Sequence, residues 1–222
     1  MGIVIHMTED HRESSPGFFR TRNIVLFLPC IAVFIGLNLL ESAWAAILFY
    51  HAIIVICLFL KRRSHPRHGL FRGWNTPVGA GLILLYASAG PALLLLWPLI
   101  ASSRGGLAPA LETLGLRGPG WYMFAVYFVS LHPVLEELFW RGVMAPKNRS
   151  VDIVDIAFGA YHVLVLVHFL KLPWVILVFV ILVLVSWLWR RIAERYAGLA
   201  IPLVSHMTAG AGIMTAIYFL IN

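Results

Sequence analysis

The run Leu172-Pro173-Trp174-Val175-Ile176-Leu177-Val178-Phe179-Val180-Ile181-Leu182-Val183-Leu184-Val185-Ser186-Trp187-Leu188-Trp189 holds no charged residue in eighteen positions. As a helix it would be roughly 27 Å long at about 1.5 Å per residue, close to the roughly 30 Å thickness of a bilayer's hydrocarbon core. Six further apolar runs of comparable length lie at 24–40, 42–60, 78–101, 121–145, 151–170 and 199–220. None alternates in the manner of a half-buried strand, and an open sheet would leave its edge groups unpaired in lipid. The expected fold is an all-α, polytopic membrane helix bundle with about seven transmembrane helices.

Composition agrees. Hydrophobic residues make up 60% of the 222-residue chain and charged residues 12%, about half the roughly 25% of a soluble domain, so an ordinary soluble protein is excluded. The first two runs are parted only by Glu41, and one helix over 24–60 would be roughly 55 Å long; a tight hairpin near 38–42 is therefore expected. Cys30 and Cys57 both lie in apolar runs and read as buried thiols, not as a disulfide framework.

Seventeen Lys and Arg against ten Asp and Glu give a net charge of +7. In a soluble chain that excess would suggest nucleic acid; its placement says otherwise. Fourteen of the seventeen precede the first run or follow the second, fourth and sixth, including the cluster Lys61, Arg62, Arg63 and Arg67, and only Arg104, Arg117 and Lys171 occupy the other connections. This alternation places the amino terminus in the cytoplasm and the carboxyl terminus outside, in an integral protein of the plasma (inner) membrane with no nucleic-acid partner. Residues 1–22 read as a cytoplasmic tail, since 1–7 lack the flanks of a secretory signal. Residues 23–101 form accessory spans. Residues 102–120, rich in Gly and Pro around Leu107 to Leu116, read as an interfacial loop.

The chemistry concentrates in Leu135-Glu136-Glu137-Leu138-Phe139-Trp140-Arg141, since ionisable groups inside a span are expensive and functional by default. Glu137 and Arg141 are four apart and can pair along one face. Glu136, turned about 100° away, is left available. His162 (with Phe158 four residues before it) and His206 lie roughly 16 Å and 10 Å from the inferred cytoplasmic ends of their spans, and Glu136 roughly 13 Å from its own, so three ionisable groups on three helices share one layer. Together they can activate a water and stabilise an oxyanion. The same Glu136, His162 and His206 can also be read as three ligands of a catalytic zinc with an open fourth position, although the HExxH signature of soluble zinc proteases is absent. His132, four residues before Glu136, can hold its carboxylate. His51 and His168 read as packing or interface residues.

The segments Glu136-Glu137-x-x-x-Arg141, Phe158-x-x-x-His162 and His206-x-x-x-Gly210 resemble, in that order, the three motifs of the CAAX-protease and bacteriocin-processing (CPBP, or Abi) intramembrane proteases, and Leu114-Gly115-Leu116 resembles that family's lead-in. The resemblance covers about 111–221 and makes 121–222 a CPBP-like catalytic bundle. It implies an intramembrane endopeptidase, cutting a membrane-associated, prenylated or bacteriocin-like protein or peptide. Glu136 would be the water-activating base assisted by His162, Glu137 and Arg141 the supporting pair, and His206 the oxyanion donor. The family has been described both as metal-free and as metalloprotease-like. Gly210 stands where the third motif usually ends in asparagine, and losing one oxyanion donor typically costs about 10²- to 10³-fold in turnover. Two rival classes follow: a catalytically impaired relative serving as membrane scaffold, immunity factor or assembly subunit, and a transporter, whose inverted halves with broken helices are not evident.

Overall fold

The computed structural model describes residues 16–60, 69–102, 106–146 and 148–222, with side chains from residue 24 onward. The amino-terminal tail up to residue 15, the basic cluster Lys61, Arg62, Arg63 and Arg67, and Arg104 and Lys147 lie outside the described residues. Among those described, nine α-helices follow in order: α1 Pro16–Phe34, α2 Ala43–Leu60, α3 Thr76–Ala87, α4 Ala89–Ile100, α5 Leu107–Thr113, α6 Gly118–Glu136, α7 Ile153–Leu166, α8 Leu172–Arg195 and α9 Ala200–Ile221. π-helical segments Ile35–Leu39 and Glu137–Val143 extend α1 and α6. The only extended pairings among these residues are two isolated bridges, Gly69 with Gly198 and Ala101 with Leu170.

The expected hairpin between the first two runs is present. Glu41 adopts φ 46°, and the Ser42 N–H donates to the Gly36 carbonyl at 2.8 Å. The two helices meet so closely that a Cβ on Gly36 would lie 2.2 Å from the Ala46 Cα. The run 78–101 is divided at Ser88, because Pro91 has no N–H to give the Ala87 carbonyl and its ring crowds that oxygen. Asn75 caps the first half by accepting from the Val78 N–H at 3.2 Å.

Among the described residues four helical stretches are long and apolar enough to cross a membrane: Ala43–Leu60, Thr76–Ile100, Leu172–Arg195 and Ala200–Ile221. Ile24–Leu39 and Ile153–Leu166 are shorter apolar helices, so seven full spans are not reached on length and composition. The run 151–170 illustrates why: Asp152 at one end and the turn over 167–170 at the other leave fourteen helical residues, roughly 21 Å. The run 121–145 is helical as far as Glu136 and then loosens into the π-helical segment, where the Met144 N–H reaches the Phe139 carbonyl, five residues back, at 2.8 Å. Interior Pro133 withdraws one donor just upstream, and such π segments recur at functional sites.

Polarity is arranged inside out. Leu84, Leu95, Phe59 and Leu172 are largely exposed, whereas His51, His132, Glu136, Glu137, Arg141, Asp155, Arg190 and His206 are buried. Helix α9 is central, packing on α3, α4, α6 and α8, while α7 packs on α8 and α1. The α4–α9 contact depends on glycine: a Cβ on Gly90 would lie 2.5 Å from the Gly212 carbonyl oxygen.

One buried network sets the position of α7. Asp152 and Asp155 form a capping box at its start, and Asp155 then accepts from Arg190 Nη2 at 2.7 Å and from the Ser186 hydroxyl at 3.0 Å. Arg190 also donates to the carbonyls of Asn148 and Ser150, each at 2.7 Å. The sequence reading places Arg190 among the cations that follow the sixth span. Helix α8 instead continues to Arg195, and Arg190 is 1% exposed because its partner Asp155 lies in the interior.

Candidate active site

Glu136 ends the regular part of α6 and is fully buried. Its two oxygens have different surroundings. Oε1 accepts hydrogen bonds from the hydroxyls of Tyr50 on α2 and Tyr161 on α7, and the Tyr50 oxygen itself accepts from Trp140 Nε1 at 2.9 Å. Oε2 has no hydrogen-bond partner among the described residues. It lies 3.5 Å from His132 Nε2 and 3.5 Å from His206 Nε2. One carboxylate oxygen is thus held by two phenols while the other faces two imidazoles across a gap, an arrangement able to orient a small oxygen-bearing molecule.

The supporting pair is formed as the spacing predicts. Arg141 Nη1 donates to Glu137 Oε1 at 3.2 Å, and the same oxygen is 3.0 Å from His206 Nδ1. Glu137 therefore fixes the His206 ring through Nδ1 and turns Nε2 towards Glu136. The Arg141 guanidinium sits 4.2 Å from the Phe158 ring centroid and 5.0 Å from that of Trp189. Two aromatic faces thus cover a charge that would otherwise be costly to bury.

Of the residues singled out in sequence, the structure brings Glu136, Glu137, Arg141, His132, His206 and Phe158 together. His162 is at one remove. Its Nδ1 is 2.8 Å from the Phe158 carbonyl, and its Nε2 is 3.0 Å from the Tyr161 hydroxyl, so Tyr161 stands between His162 and Glu136. The atoms able to hold a metal ion together are His132 Nε2, Glu136 Oε2 and His206 Nε2, all within 4.8 Å of one another. This set differs from the expected Glu136, His162 and His206 in one member, because both ring nitrogens of His162 are engaged by the Tyr161 hydroxyl and the Phe158 carbonyl. Gly210 lies against Phe128: a Cβ there would be 3.7 Å from Phe128 Cε1, and the Phe128 ring stacks on His132 at 4.7 Å. Thr208, two residues before Gly210 on α9, gives its hydroxyl to the Val204 carbonyl at 2.8 Å.

Residues 117–211 match the Rce1-like family of type II CAAX prenyl endopeptidases. That match agrees with the CPBP resemblance and takes in all three motifs, from α6 into α9. No curated protein and no solved structure matches the chain.

The matched segment leaves out α1 to α5, and some of the residues that touch Glu136 come from there. Tyr50 and His51 belong to α2. His51, expected to be a packing or interface residue, lies with Nε2 3.0 Å from His132 Nδ1 and with Nδ1 2.7 Å from the Tyr127 hydroxyl. Tyr50, Tyr161 and Tyr127 went unread in sequence. The available signal was the pair Tyr50-His51, two hydrogen-bonding side chains in the middle of an apolar span.

Proposed function

We propose that the protein is an intramembrane endopeptidase of the CAAX type, in which a water activated by Glu136 hydrolyses a peptide bond of a membrane-associated, prenylated or lipidated protein or of a bacteriocin-like peptide. The observation that carries this reading is the asymmetric environment of the Glu136 carboxylate, with Oε1 held by Tyr50 and Tyr161 and Oε2 unpartnered and buried between two imidazoles. Oε2 takes a proton from the attacking water as its oxygen bonds to the scissile carbonyl carbon. The oxyanion is met by His206, which, when doubly protonated, donates Nδ1–H to Glu137 and Nε2–H to the new charge. As the C–N bond breaks, Glu136 returns the proton to the leaving amine. Glu137 and Arg141 hold His206, and His162 assists through Tyr161.

The catalytic bundle in this reading is 121–222, with 23–101 as accessory helices that also supply Tyr50. In this reading the bundle sits in the plasma (inner) membrane with the amino terminus in the cytoplasm, the shorter helices Ile24–Leu39 and Ile153–Leu166 packed among the longer spans. In a zinc-dependent variant His132, Glu136 and His206 would hold the ion, which would supply a polarised water. The test is cleavage of prenylated CAAX peptides in proteoliposomes by wild type and Glu136→Gln, with metal content measured on the same preparation. Loss of cleavage in the variant at under one-tenth metal per chain is the expected result. Unchanged cleavage refutes the base, and one zinc per chain with chelator-sensitive activity refutes the metal-free form.

Gly210 favours a second reading, a catalytically impaired relative that acts as membrane scaffold, immunity factor or assembly subunit. Wild-type cleavage that depends on Glu136 eliminates it.

A further inference from the structure

Three nitrogen and oxygen atoms face one another at the centre of the bundle, and only two of them belong to the motifs. The third is His132 Nε2, 3.5 Å from Glu136 Oε2 on a side chain 5% exposed. With His206 Nε2 in the same 4.8 Å set, a single oxygen atom seated just off the triangle of these three atoms would lie within hydrogen-bond distance of all of them. What His132 presents there, a proton or a lone pair, is decided by its other nitrogen.

That nitrogen is the start of a chain. His132 Nδ1 meets His51 Nε2 at 3.0 Å, and His51 Nδ1 meets the Tyr127 hydroxyl at 2.7 Å. A neutral imidazole has one donor and one acceptor nitrogen, so the direction of the outermost bond sets all the others. With the Tyr127 O–H donating to His51 Nδ1, His51 carries its proton on Nε2 and donates to His132 Nδ1. His132 then carries its own proton on Nε2, aimed at the unpartnered Glu136 Oε2. The opposite direction would turn a His132 lone pair on a carboxylate oxygen 3.5 Å away in a buried site, which is electrostatically unfavourable. The two rings and the phenol come from α2 and α6, and Phe128 stacks on the face of His132 and lies against Gly210, which itself presents no side chain to it.

We propose that His132 is a catalytic residue: its Nε2–H donates to the water held between Glu136 and His206 and, once that water's oxygen has bonded to the scissile carbon, to the carbonyl oxygen that becomes the oxyanion, and Tyr127 and His51 are positioning residues that keep the proton on Nε2. The proposal rests on the endopeptidase reading above. No proton is gained or lost by His132; it stabilises charge while Glu136 carries the proton.

The experiment pairs two substitutions of opposite character. His132→Phe keeps an aromatic ring for Phe128 to stack on and removes the donor. His132→Gln sacrifices the ring but can place an amide N–H near the position of Nε2. With a prenylated CAAX peptide in proteoliposomes, His132→Phe is expected to lower kcat about 10²- to 10³-fold with little change in KM. His132→Gln should keep a substantial part of it, and Tyr127→Phe should fall between wild type and His132→Phe. Independently of cleavage, ¹⁵N spectra of histidine-labelled wild type should show His132 protonated at Nε2, and Tyr127→Phe should redistribute that proton between the two nitrogens. Full activity in His132→Phe, a proton on Nδ1 in the wild-type ring, or one zinc per chain lost in His132→Phe would each overturn the donor role. The first two leave the endopeptidase reading standing. A wild type that cleaves nothing overturns that reading, and the catalytic role with it.

Discussion

Substituting Tyr50 by Phe removes one oxygen and disturbs two bonds. The Tyr50 hydroxyl donates to Glu136 Oε1 and accepts from Trp140 Nε1 at 2.9 Å, and all three side chains are at most 1% exposed. A hydrogen bond to a charged acceptor is worth about 1.5–3 kcal/mol, and a buried donor left without a partner costs about 1–3 kcal/mol. Tyr50→Phe should therefore destabilise the fold by roughly 2.5–6 kcal/mol, an unusually large effect for the loss of one hydroxyl. The charge-assisted part can be isolated in a double-mutant cycle with Glu136→Gln. Against a neutral amide the same hydroxyl is worth only about 0.5–1.5 kcal/mol, so the two substitutions should couple by roughly 1 kcal/mol. Reversible unfolding in mixed micelles, followed by tryptophan emission, measures each corner. A Tyr50→Phe protein as stable as wild type, or a coupling within about 0.3 kcal/mol of zero, would refute the assignment of Tyr50 as a holder of the ionised Glu136 carboxylate.

Other consequences are open to the same measurement. Arg190→Met strands the Asp155 carboxylate in the interior and should cost about 3–5 kcal/mol, whereas adding Asp155→Leu to it should recover much of that loss, because a buried ion pair is weaker evidence of stability than its rupture suggests. Arg141→Lys keeps the charge opposite Glu137 but loses the flat guanidinium that lies over Phe158 and Trp189; roughly 1–2 kcal/mol should be lost. Gly90→Val drives a side chain into the Gly212 backbone and should cost about 1–3 kcal/mol by parting α4 from α9. Gly81→Ala, whose Cβ meets nothing within 4 Å, should instead stabilise α3 by up to about 1 kcal/mol.

The membrane bundle is legible in the uncharged run 172–189, and the Glu137–Arg141 pair in its spacing, because both depend on local periodicity. Depth is legible too, since rise per residue is fixed. Azimuth is not. Counting from the span ends puts His162 in the layer of Glu136, but successive residues on a helix diverge by about 100°, and on α7 it is Tyr161 that faces the carboxylate while His162 turns aside to the Phe158 carbonyl. Arg190 misleads for a related reason. A cation at the end of an apolar run reads as a loop residue until its partner is known, and Asp155 is 35 positions away. Tyr50 lies 86 positions from Glu136, a separation at which no local pattern operates.

The site therefore exceeds the segment that the family match covers. Helix α2 buries 39% of its spanning window, against at most 22% in the other three candidate spans, so it is enclosed by the bundle and not merely laid against it. Its only side chains bearing an oxygen or an imidazole are Tyr50 and His51. In a bilayer such groups have no water to turn to, and each must find a partner within the protein. Both do so at one place: Tyr50 on Glu136 Oε1 and His51 on His132 Nδ1. Pairing that satisfies two polar groups also fixes the register of α2 against α6 and α7, because sliding α2 by one turn, about 5.4 Å, would leave a phenol, an imidazole and an indole N–H unpaired together. Helix α2 and Glu136 position each other, and in the endopeptidase reading proposed above the chemistry of 121–222 depends on residues 43–60.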